Sequence, residues 1–131
     1  MNAADWIDQL DLTPHPEGGY FRRTYACART VSGEGGAQRP LMTSIYYLLT
    51  ADAPLGRLHR NRSDILHFFH AGAPLTYWLL FPDGRLERQQ LGPDPLQGQV
   101  LQLRVPGGVW KASVLESGAY GLISEAVAPG F

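Results

Sequence analysis

The segment Leu58–Gly72, which reads LHRNRSDILHFFHAG, decides how the rest of the chain is interpreted. It contains three of the four histidines in the 131-residue chain, and it ends in a glycine. Its first half is polar and its second half is largely apolar, as in a loop that leads into a buried strand. The segment therefore predicts a core strand that begins beside a polar site.

The three histidines of this segment first suggest a metal site. A transition metal needs several His, Cys, Asp or Glu ligands at about 2 Å. Because alternate residues of a strand face opposite sides, His67 and His70 are not expected to be ligands of one ion. The set His59, Asp64 and His67 stays open as a site. Otherwise His67 and His70 are expected to be structural residues or to line the wall of a pocket.

On both sides of this segment, short runs of aromatic and β-branched residues are separated by Gly, Pro and Asp. Fifteen glycines and ten prolines lie mostly between these runs. Many short strands with little helix are typical of a β-sandwich or a closed barrel. The predicted strands are Tyr20–Ala26, Thr43–Leu49, Arg57–His59, Ile65–His70, Leu75–Phe81, Leu86–Leu91, Val100–Arg104, Trp110–Val114 and Tyr120–Val127.

Two connections between these strands have distinct patterns. The segment Phe81–Arg85 contains Asp83-Gly84, which predicts a tight hairpin because glycine supplies the positive φ. The segment Thr30–Arg39, TVSGEGGAQR, has a loop-like composition and is predicted to be a plain surface loop, with a mobile flap over the barrel mouth as the alternative.

The N-terminal segment predicts one short helix before the barrel. Asn2 can cap it, and prolines that follow end it near Asp11. The chain length suits a single domain. We predict one domain over residues 1–131, with 1–13 as the helix and lead-in and 14–131 as the β-barrel.

Composition excludes several classes of function. A net charge of −1 provides no field that would attract nucleic acid or an anionic membrane. No window approaches the roughly 20 apolar residues of a membrane helix, and the N-terminus does not resemble a signal peptide. The single cysteine, Cys27, excludes an internal disulfide and is expected to be inert. A cytoplasmic protein is expected.

The segment His15–Arg22, HPEGGYFR, resembles the signature of an uncharacterised cupin-like family. The segments TSIYYLL (43–49), VPGGVW (105–110) and VAPGF (127–131) resemble that family as well, so the resemblance covers nearly all of the chain. The family is similar to the RmlC-like cupins. The resemblance implies an all-β fold, a double-stranded β-helix or jelly roll with a short N-terminal helix, a pocket inside the barrel and a homodimer.

The resemblance also implies where a cupin metal would be bound. Counting the first cupin motif back from Gly72 puts Ile65 at the glutamate ligand, and Asn61 and His59 at the two histidines. The second motif puts Lys111 at the remaining histidine. An isoleucine cannot bind a cation and an ammonium would repel one. We therefore expect no metal and no cofactor at the usual cupin position.

Charged and polar residues are expected to fill the barrel instead. By resemblance to RmlC-like epimerases, His59 would act as the base, Asp64 as its partner and Tyr120 as the acid. The reaction would be proton abstraction next to a carbonyl, and the ligand a small anionic metabolite bound by Arg and Lys. The other predicted ligand-binding residues are Arg22, Arg60, Ser63, Lys111, Tyr46 and Trp110.

Three functions stay open at this point. The first is a metal-independent isomerase or epimerase, and the second is a cupin that binds a small ligand without catalysis. The third is an atypical metal-dependent cupin that uses His59, Asp64 and His67.

Overall fold

The computed structural model describes residues 1–131, apart from the side chain of Glu34. One α-helix, α1 (Ala3–Gln9), precedes the strands, and short 3-10 helices span Glu34–Gly36 and Pro95–Gln97. The strands are β1 (Thr13–Pro14), β2 (Tyr20–Ala26), β3 (Thr30–Ser32), β4 (Gln38–Pro40), β5 (Thr43–Thr50), β6 (Leu55–Arg60), β7 (Asp64–Gly72), β8 (Leu75–Leu80), β9 (Leu86–Leu91), β10 (Gln102–Val105), β11 (Trp110–Val114) and β12 (Tyr120–Ala128).

Two antiparallel sheets face each other and enclose the core. The larger sheet has the strand order β1-β2-β5-β12-β7-β10, and the smaller sheet has the order β6-β11-β8-β9. From β5 onwards the chain crosses repeatedly between the two sheets, as in a jelly roll. The predicted all-β jelly roll with a short N-terminal helix is therefore confirmed.

Side chains that alternate along each strand build the two faces of the larger sheet. In β5, Tyr47 and Leu49 point into the barrel, whereas Leu48 packs on the opposite face. The interior cluster is completed by apolar residues from both sheets, among them Leu75, Tyr77, Leu79, Leu91, Leu103, Val105 and Ile123. Two members of this cluster, Tyr47 and Tyr77, also form part of the wall of the cavity described below.

Helix α1 covers part of the outer face of the larger sheet. Asn2 accepts a hydrogen bond from the backbone N–H of Asp5, and the Asp5 carboxylate accepts one from the N–H of Asn2. These reciprocal bonds form a capping box, which confirms the predicted start of the helix. Apolar side chains of the helix and its C-terminal end then pack against the outer cluster, namely Trp6, Ile7 and Leu10.

The segment predicted to be a plain surface loop forms a hairpin instead. Strands β3 and β4 pair with each other, and the Gln38 side chain accepts a hydrogen bond from Thr30 Oγ1 and donates one to Ser32 Oγ. The prediction was wrong because main-chain pairing and an amide side chain hold this hairpin, with no apolar alternation to mark it. The hairpin predicted at Phe81–Arg85 is confirmed, since it connects β8 to β9 with Gly84 at φ 90°.

None of the described helices has the length and apolar character required to cross a membrane. The homodimer stays a prediction.

Candidate functional site

A cavity of about 260 Å³ opens into the barrel between the two sheets. Six strands, β2, β5, β6, β8, β11 and β12, and the turn that precedes β2 contribute most of its wall. The lining residues are His15, Pro16, Glu17, Phe21, Arg23, Ile45, Tyr47, His59, Asn61, Tyr77, Lys111, Ser113, Glu125 and Phe131. The mixture of an apolar wall with a few convergent polar groups is typical of a small-molecule site.

A buried ionic cluster forms at Lys111, whose side chain is 5% exposed. The Lys111 ammonium from the smaller sheet lies 3.3 Å from His67 Nε2 and 3.5 Å from Glu125 Oε1, both of the larger sheet. Strand register makes this possible, because Glu125 in β12 pairs directly with His67 in β7. The cluster therefore connects the two sheets across the interior through charged and polar groups.

The hydrogen bonds of the cluster define its protonation. An ammonium only donates, so His67 Nε2 accepts from Lys111 and the imidazole proton lies on Nδ1, 3.2 Å from the hydroxyl of Tyr77. Burial, reinforced by the charge of Lys111, lowers the pKa of His67 to about 3, so the ring is neutral. Burial is the largest single effect on Glu125 and acts to raise its pKa, but the charge of Lys111, the nearby His67 and His59 and the hydrogen bond from Lys111 together outweigh burial, so the pKa lies below its usual range. Glu125 is thus a carboxylate paired with Lys111.

His59 lies on the cavity wall in β6, where its strand partner is Lys111 in β11. Its Nδ1 lies 2.8 Å from the carbonyl oxygen of Arg57. A carbonyl oxygen only accepts, so Nδ1 carries the proton and the lone pair of the neutral ring is on Nε2. A backbone contact therefore holds His59 in the tautomer that a base requires.

His15 lies on the same cavity wall in the turn that leads into β2. Its Nδ1 accepts a hydrogen bond of 2.9 Å from the backbone N–H of Glu17. The ring packs edge-on against Phe21 and Tyr47, with centroid distances of 4.6 and 5.5 Å. Burial lowers the pKa of His15, so the ring favours its neutral form.

The structure brings two of the predicted site residues together in this cavity, His59 and Lys111. The predicted supporting partner of His59, Asp64, is not beside it. The Asp64 side chain is 60% exposed, and its carboxylate accepts a hydrogen bond from the Gly107 N–H. Asp64 follows the bend between β6 and β7, which turns it away from His59. The backbone of Arg57 orients His59 instead.

Tyr120, the predicted acid, lies outside the barrel. It packs under the N-terminal helix, with its ring 6.5 Å from the ring of Trp6. Tyr46 is also on the outer face of the larger sheet, in a shallow groove with His70. Both were placed wrongly because the sequence does not define which face of a strand points inward to better than one residue.

Three cationic and aromatic residues predicted to bind the ligand lie outside the cavity. Arg22 donates a 2.7 Å hydrogen bond from Nε to the carbonyl of Leu10, on the face covered by the helix. Arg60 lies over the ring of Trp110 at 5.0 Å, and both side chains lie on the outside of the smaller sheet. The neighbour of Arg22, Arg23, lines the cavity, so the placement was wrong by one residue.

Ser63 is buried but does not line the cavity. Its hydroxyl donates a 2.6 Å hydrogen bond to the carbonyl of Pro129 and so attaches the C-terminal segment to the start of β7. Its position indicates a structural contact rather than a ligand contact.

Glu125 is not among the predicted site residues, although the sequence contains a signal for it. Glu125 has the same strand parity as Ile123 and Val127, which are both buried, so the alternation along β12 points its side chain inward. A carboxylate at such a position requires a buried cation, which is Lys111. His15 has no comparable signal, since it lies in a turn whose direction the sequence does not define.

Two facing antiparallel sheets, crossed repeatedly by the chain and enclosing a cavity with a mixed apolar and polar lining, define a cupin-type jelly roll. The comparison with known families agrees with that class. The chain belongs to the family described as Cupin superfamily (DUF985), whose family model matches residues 4–131.

Relatives of the chain occur in Saccharomyces cerevisiae and Leishmania major. The uncharacterized protein YML079W of Saccharomyces cerevisiae is 41% identical over 139 residues, which cover 95% of this chain and 69% of the yeast protein. A hypothetical protein from Leishmania major is 35% identical with a TM-score of 0.93, covering all of this chain and 83% of the other. Oxalate decarboxylase of Bacillus subtilis, at 16% identity and a TM-score of 0.61 over 92% of this chain and 28% of the other, has a similar fold.

The residues of this chain do not fit the metal site of a cupin. Ile65, at the position of the glutamate ligand, is buried in the barrel, and Lys111 brings an ammonium into the place of the distant histidine. Among the side chains that the structure describes, no three His, Cys, Asp or Glu side chains are grouped to hold a metal ion. The alternative set of His59, Asp64 and His67 does not form, because Asp64 lies at the surface.

Proposed function

We propose that this cupin is a metal-independent isomerase or epimerase, which moves a proton next to the carbonyl group of a small metabolite bound in the barrel. The observation that carries the proposal is the contact between His59 Nδ1 and the carbonyl oxygen of Arg57, which leaves the Nε2 lone pair as a base on the cavity wall. A general base needs both a fixed orientation and an available lone pair. The resemblance to RmlC-like epimerases supports the same role for His59.

Lys111 supplies positive charge where the reaction develops negative charge. An ammonium has three hydrogens, and His67 and Glu125 accept two of them. The third remains for an oxygen atom of the substrate, such as the oxygen of an enolate. A cation held in advance in a site of low dielectric stabilises such an oxyanion more than water does.

A carboxylate on the substrate is proposed because of Arg23. The cavity lining contains two cations, Arg23 and Lys111, and two carboxylates, Glu17 and Glu125, so its formal charges cancel. Lys111 and Glu125 form one buried pair. Arg23 is therefore the group proposed to bind a carboxylate, since a guanidinium matches its geometry in two hydrogen bonds.

Exchange of substrate hydrogen with solvent tests this proposal. The purified protein is incubated in D₂O with a panel of 2-keto acids and keto-sugars, and loss of the α-proton signal is followed by ¹H NMR. At least one compound is expected to exchange faster than in the absence of protein. If no compound exchanges while thermal-shift assays detect binding, the protein is a binding cupin without this activity and the proposal is overturned.

Metal analysis tests the claim that the reaction is independent of metal. Protein expressed in metal-replete medium is expected to retain less than about 0.1 equivalent of transition metal, because cupin-type sites would otherwise bind it tightly. A stoichiometric metal that is lost together with activity in a His59→Ala variant would instead favour the atypical metal-dependent cupin.

A further inference from the structure

The two histidines on the cavity wall have opposite hydrogen-bonding roles. Nδ1 of His59 donates to a carbonyl oxygen, and Nδ1 of His15 accepts from a backbone N–H. Neutral imidazole has one proton, so His59 has a lone pair on Nε2 whereas His15 has a proton on Nε2. The cavity therefore contains one imidazole acceptor and one imidazole donor.

A chain of backbone hydrogen bonds holds both rings in these tautomers. The N–H of Glu17 donates to His15 Nδ1, and the carbonyl of Glu17 accepts a 2.7 Å hydrogen bond from the N–H of Arg57. The carbonyl of Arg57 then accepts from His59 Nδ1. The backbones of Glu17 and Arg57, which hold the two rings, are thus hydrogen-bonded directly to each other. The two imidazoles are the only side chains that take part in these three bonds.

Packing fixes the plane of the His15 ring. Phe21 and Tyr47 contact it edge-on, and the Tyr47 hydroxyl donates a 2.7 Å hydrogen bond to the carbonyl of Gly18 in the same turn. Burial also opposes formation of an imidazolium at His15. A ring that is neutral, oriented and on the wall of a cavity is a suitable hydrogen-bond donor to an uncharged carbonyl oxygen.

We propose that His15 is a catalytic residue, the neutral imidazole whose Nε2–H polarises the substrate carbonyl while His59 removes the adjacent proton. This inference rests on the proposed function and gives His15 the place of the hydrogen-bond donor, which Tyr120, the predicted acid, cannot fill from outside the barrel. The α C–H bond breaks, its proton moves to His59 Nε2, and its electron pair forms the C=C bond of an enolate. Negative charge develops on the former carbonyl oxygen, which accepts the hydrogen bond from His15. Delivery of a proton from water to the opposite face of the α carbon re-forms the carbonyl group and inverts that carbon, and His59 then gives its proton to water.

Nitrogen NMR of the full-length protein tests the inference without a known substrate. Long-range ¹H–¹⁵N correlation distinguishes the two neutral tautomers of each histidine, and single substitutions assign the four rings. At pH 7 we expect an Nε2–H tautomer for His15 and an Nδ1–H tautomer for His59. An Nδ1–H tautomer or an imidazolium at His15 overturns the inference.

Pyruvate, the simplest 2-keto acid, serves as the binding probe. Roughly 50 mM pyruvate would saturate even a site of millimolar affinity, and we expect it to shift the His15 Nε2 resonance. No shift, or a shift confined to His67 and His70, overturns the inference. The control variant His70→Gln, in the outer groove, is expected to leave the response unchanged.

Exchange measurements separate this inference from the proposed function. For a compound that the wild type exchanges, His15→Phe is expected to lower the rate about 10²-fold or more, as loss of one oxyanion donor does. His15→Gln, whose amide keeps an N–H donor, should recover part of the rate. This variant shows whether the loss in His15→Phe comes from the missing donor or from a folding defect. If His59 is required but both His15 variants exchange at the wild-type rate, the inference alone fails. If no compound exchanges in the wild type, the proposed function fails, and a His15 shift with pyruvate would leave only its role as a ligand donor.

Discussion

At the scale of single residues, the interior of the barrel depends on Lys111. Its ammonium is removed from water and is stabilised by His67 Nε2 and by the carboxylate of Glu125. A buried ion pair of this kind contributes little net stability compared with apolar packing, but removal of one partner leaves an uncompensated charge. The same ammonium is the oxyanion contact of the proposed reaction, so stability and function share one group.

Replacement of Lys111 by Met is expected to destabilise the fold. The substitution leaves Glu125 buried without its cation, and breaking a buried pair costs about 3–5 kcal/mol. Urea denaturation measures the change in the free energy of unfolding. The control Arg88→Met, which removes the exposed pair with Glu116, is expected to cost much less. Equal losses of stability in Lys111→Met and Arg88→Met would contradict the buried pair. So would a double variant, Lys111→Met with Glu125→Gln, that is no more stable than Lys111→Met alone.

The stability of the protein is expected to decrease as the pH is lowered below about 6.5, because of His67. Its pKa is about 3 in the fold against 6.5 for an ordinary histidine, so between these values the unfolded chain binds a proton that the native state does not. The stability contributed by neutral His67 is thus fully present above pH 6.5 and is lost on acidification. The loss is at most about 1.4 kcal/mol for each pH unit, because one proton is involved. The pKa of Glu125 is also lowered in the fold, so protonation of Glu125 at acidic pH reduces stability as well.

Urea midpoints at several pH values between 7 and 4 measure this dependence. The variant His67→Gln is expected to show a shallower loss of stability with acidification than the wild type, because its residual slope comes from the other groups. Equal slopes in the two proteins would contradict a neutral, buried His67.

At the scale of structural elements, the turn before β2 is docked onto β6. Gly18 has a φ of 104°, and a Cβ at this position would overlap the carbonyl oxygen of Leu55. The Glu17–Arg57 hydrogen bond lies beside this contact. The close approach of the two backbones therefore positions both His15 and His59.

The substitution Gly18→Ala is expected to be more damaging than Gly84→Ala. Both glycines have positive φ, which costs a residue with Cβ roughly 1–2 kcal/mol, but the space around Gly84 is open. The additional loss at Gly18 measures the steric contact with β6. Denaturation measures stability, and the His15 and His59 nitrogen resonances are expected to shift only in the Gly18 variant. Equal effects at the two positions would show that the docking contact has no role.

Strands could be predicted well from the sequence, whereas the faces of the strands could not. Runs such as Thr43–Leu49 are marked by aromatic and β-branched residues and appear as strands in the structure. A shift of one residue reverses the face, which explains why Arg23 and not Arg22 lines the cavity. The turn containing His15 gives no periodicity at all, so only the structure reveals its place beside His59.

At the scale of the whole molecule, the fold could be predicted because its evidence is distributed over the chain. Many short strands, turn residues and the cupin-like segments all indicated one architecture, and the family match over residues 4–131 agrees with it. The site depends instead on a few contacts between strands that are distant in sequence. Lys111 and Glu125 meet only because the two sheets face each other, and no local pattern predicts that pair.

The central claim is that His59 Nε2 removes a proton from a carbonyl substrate in a barrel without metal. Its most direct test compares solvent-deuterium exchange of a substrate's α-proton between the wild type and His59→Gln, with His70→Gln as the control. The account predicts that exchange falls about 10²–10⁴-fold in His59→Gln, the usual contribution of a general base, and is unchanged in His70→Gln. Equal exchange rates in the wild type and in a folded His59→Gln protein would contradict it.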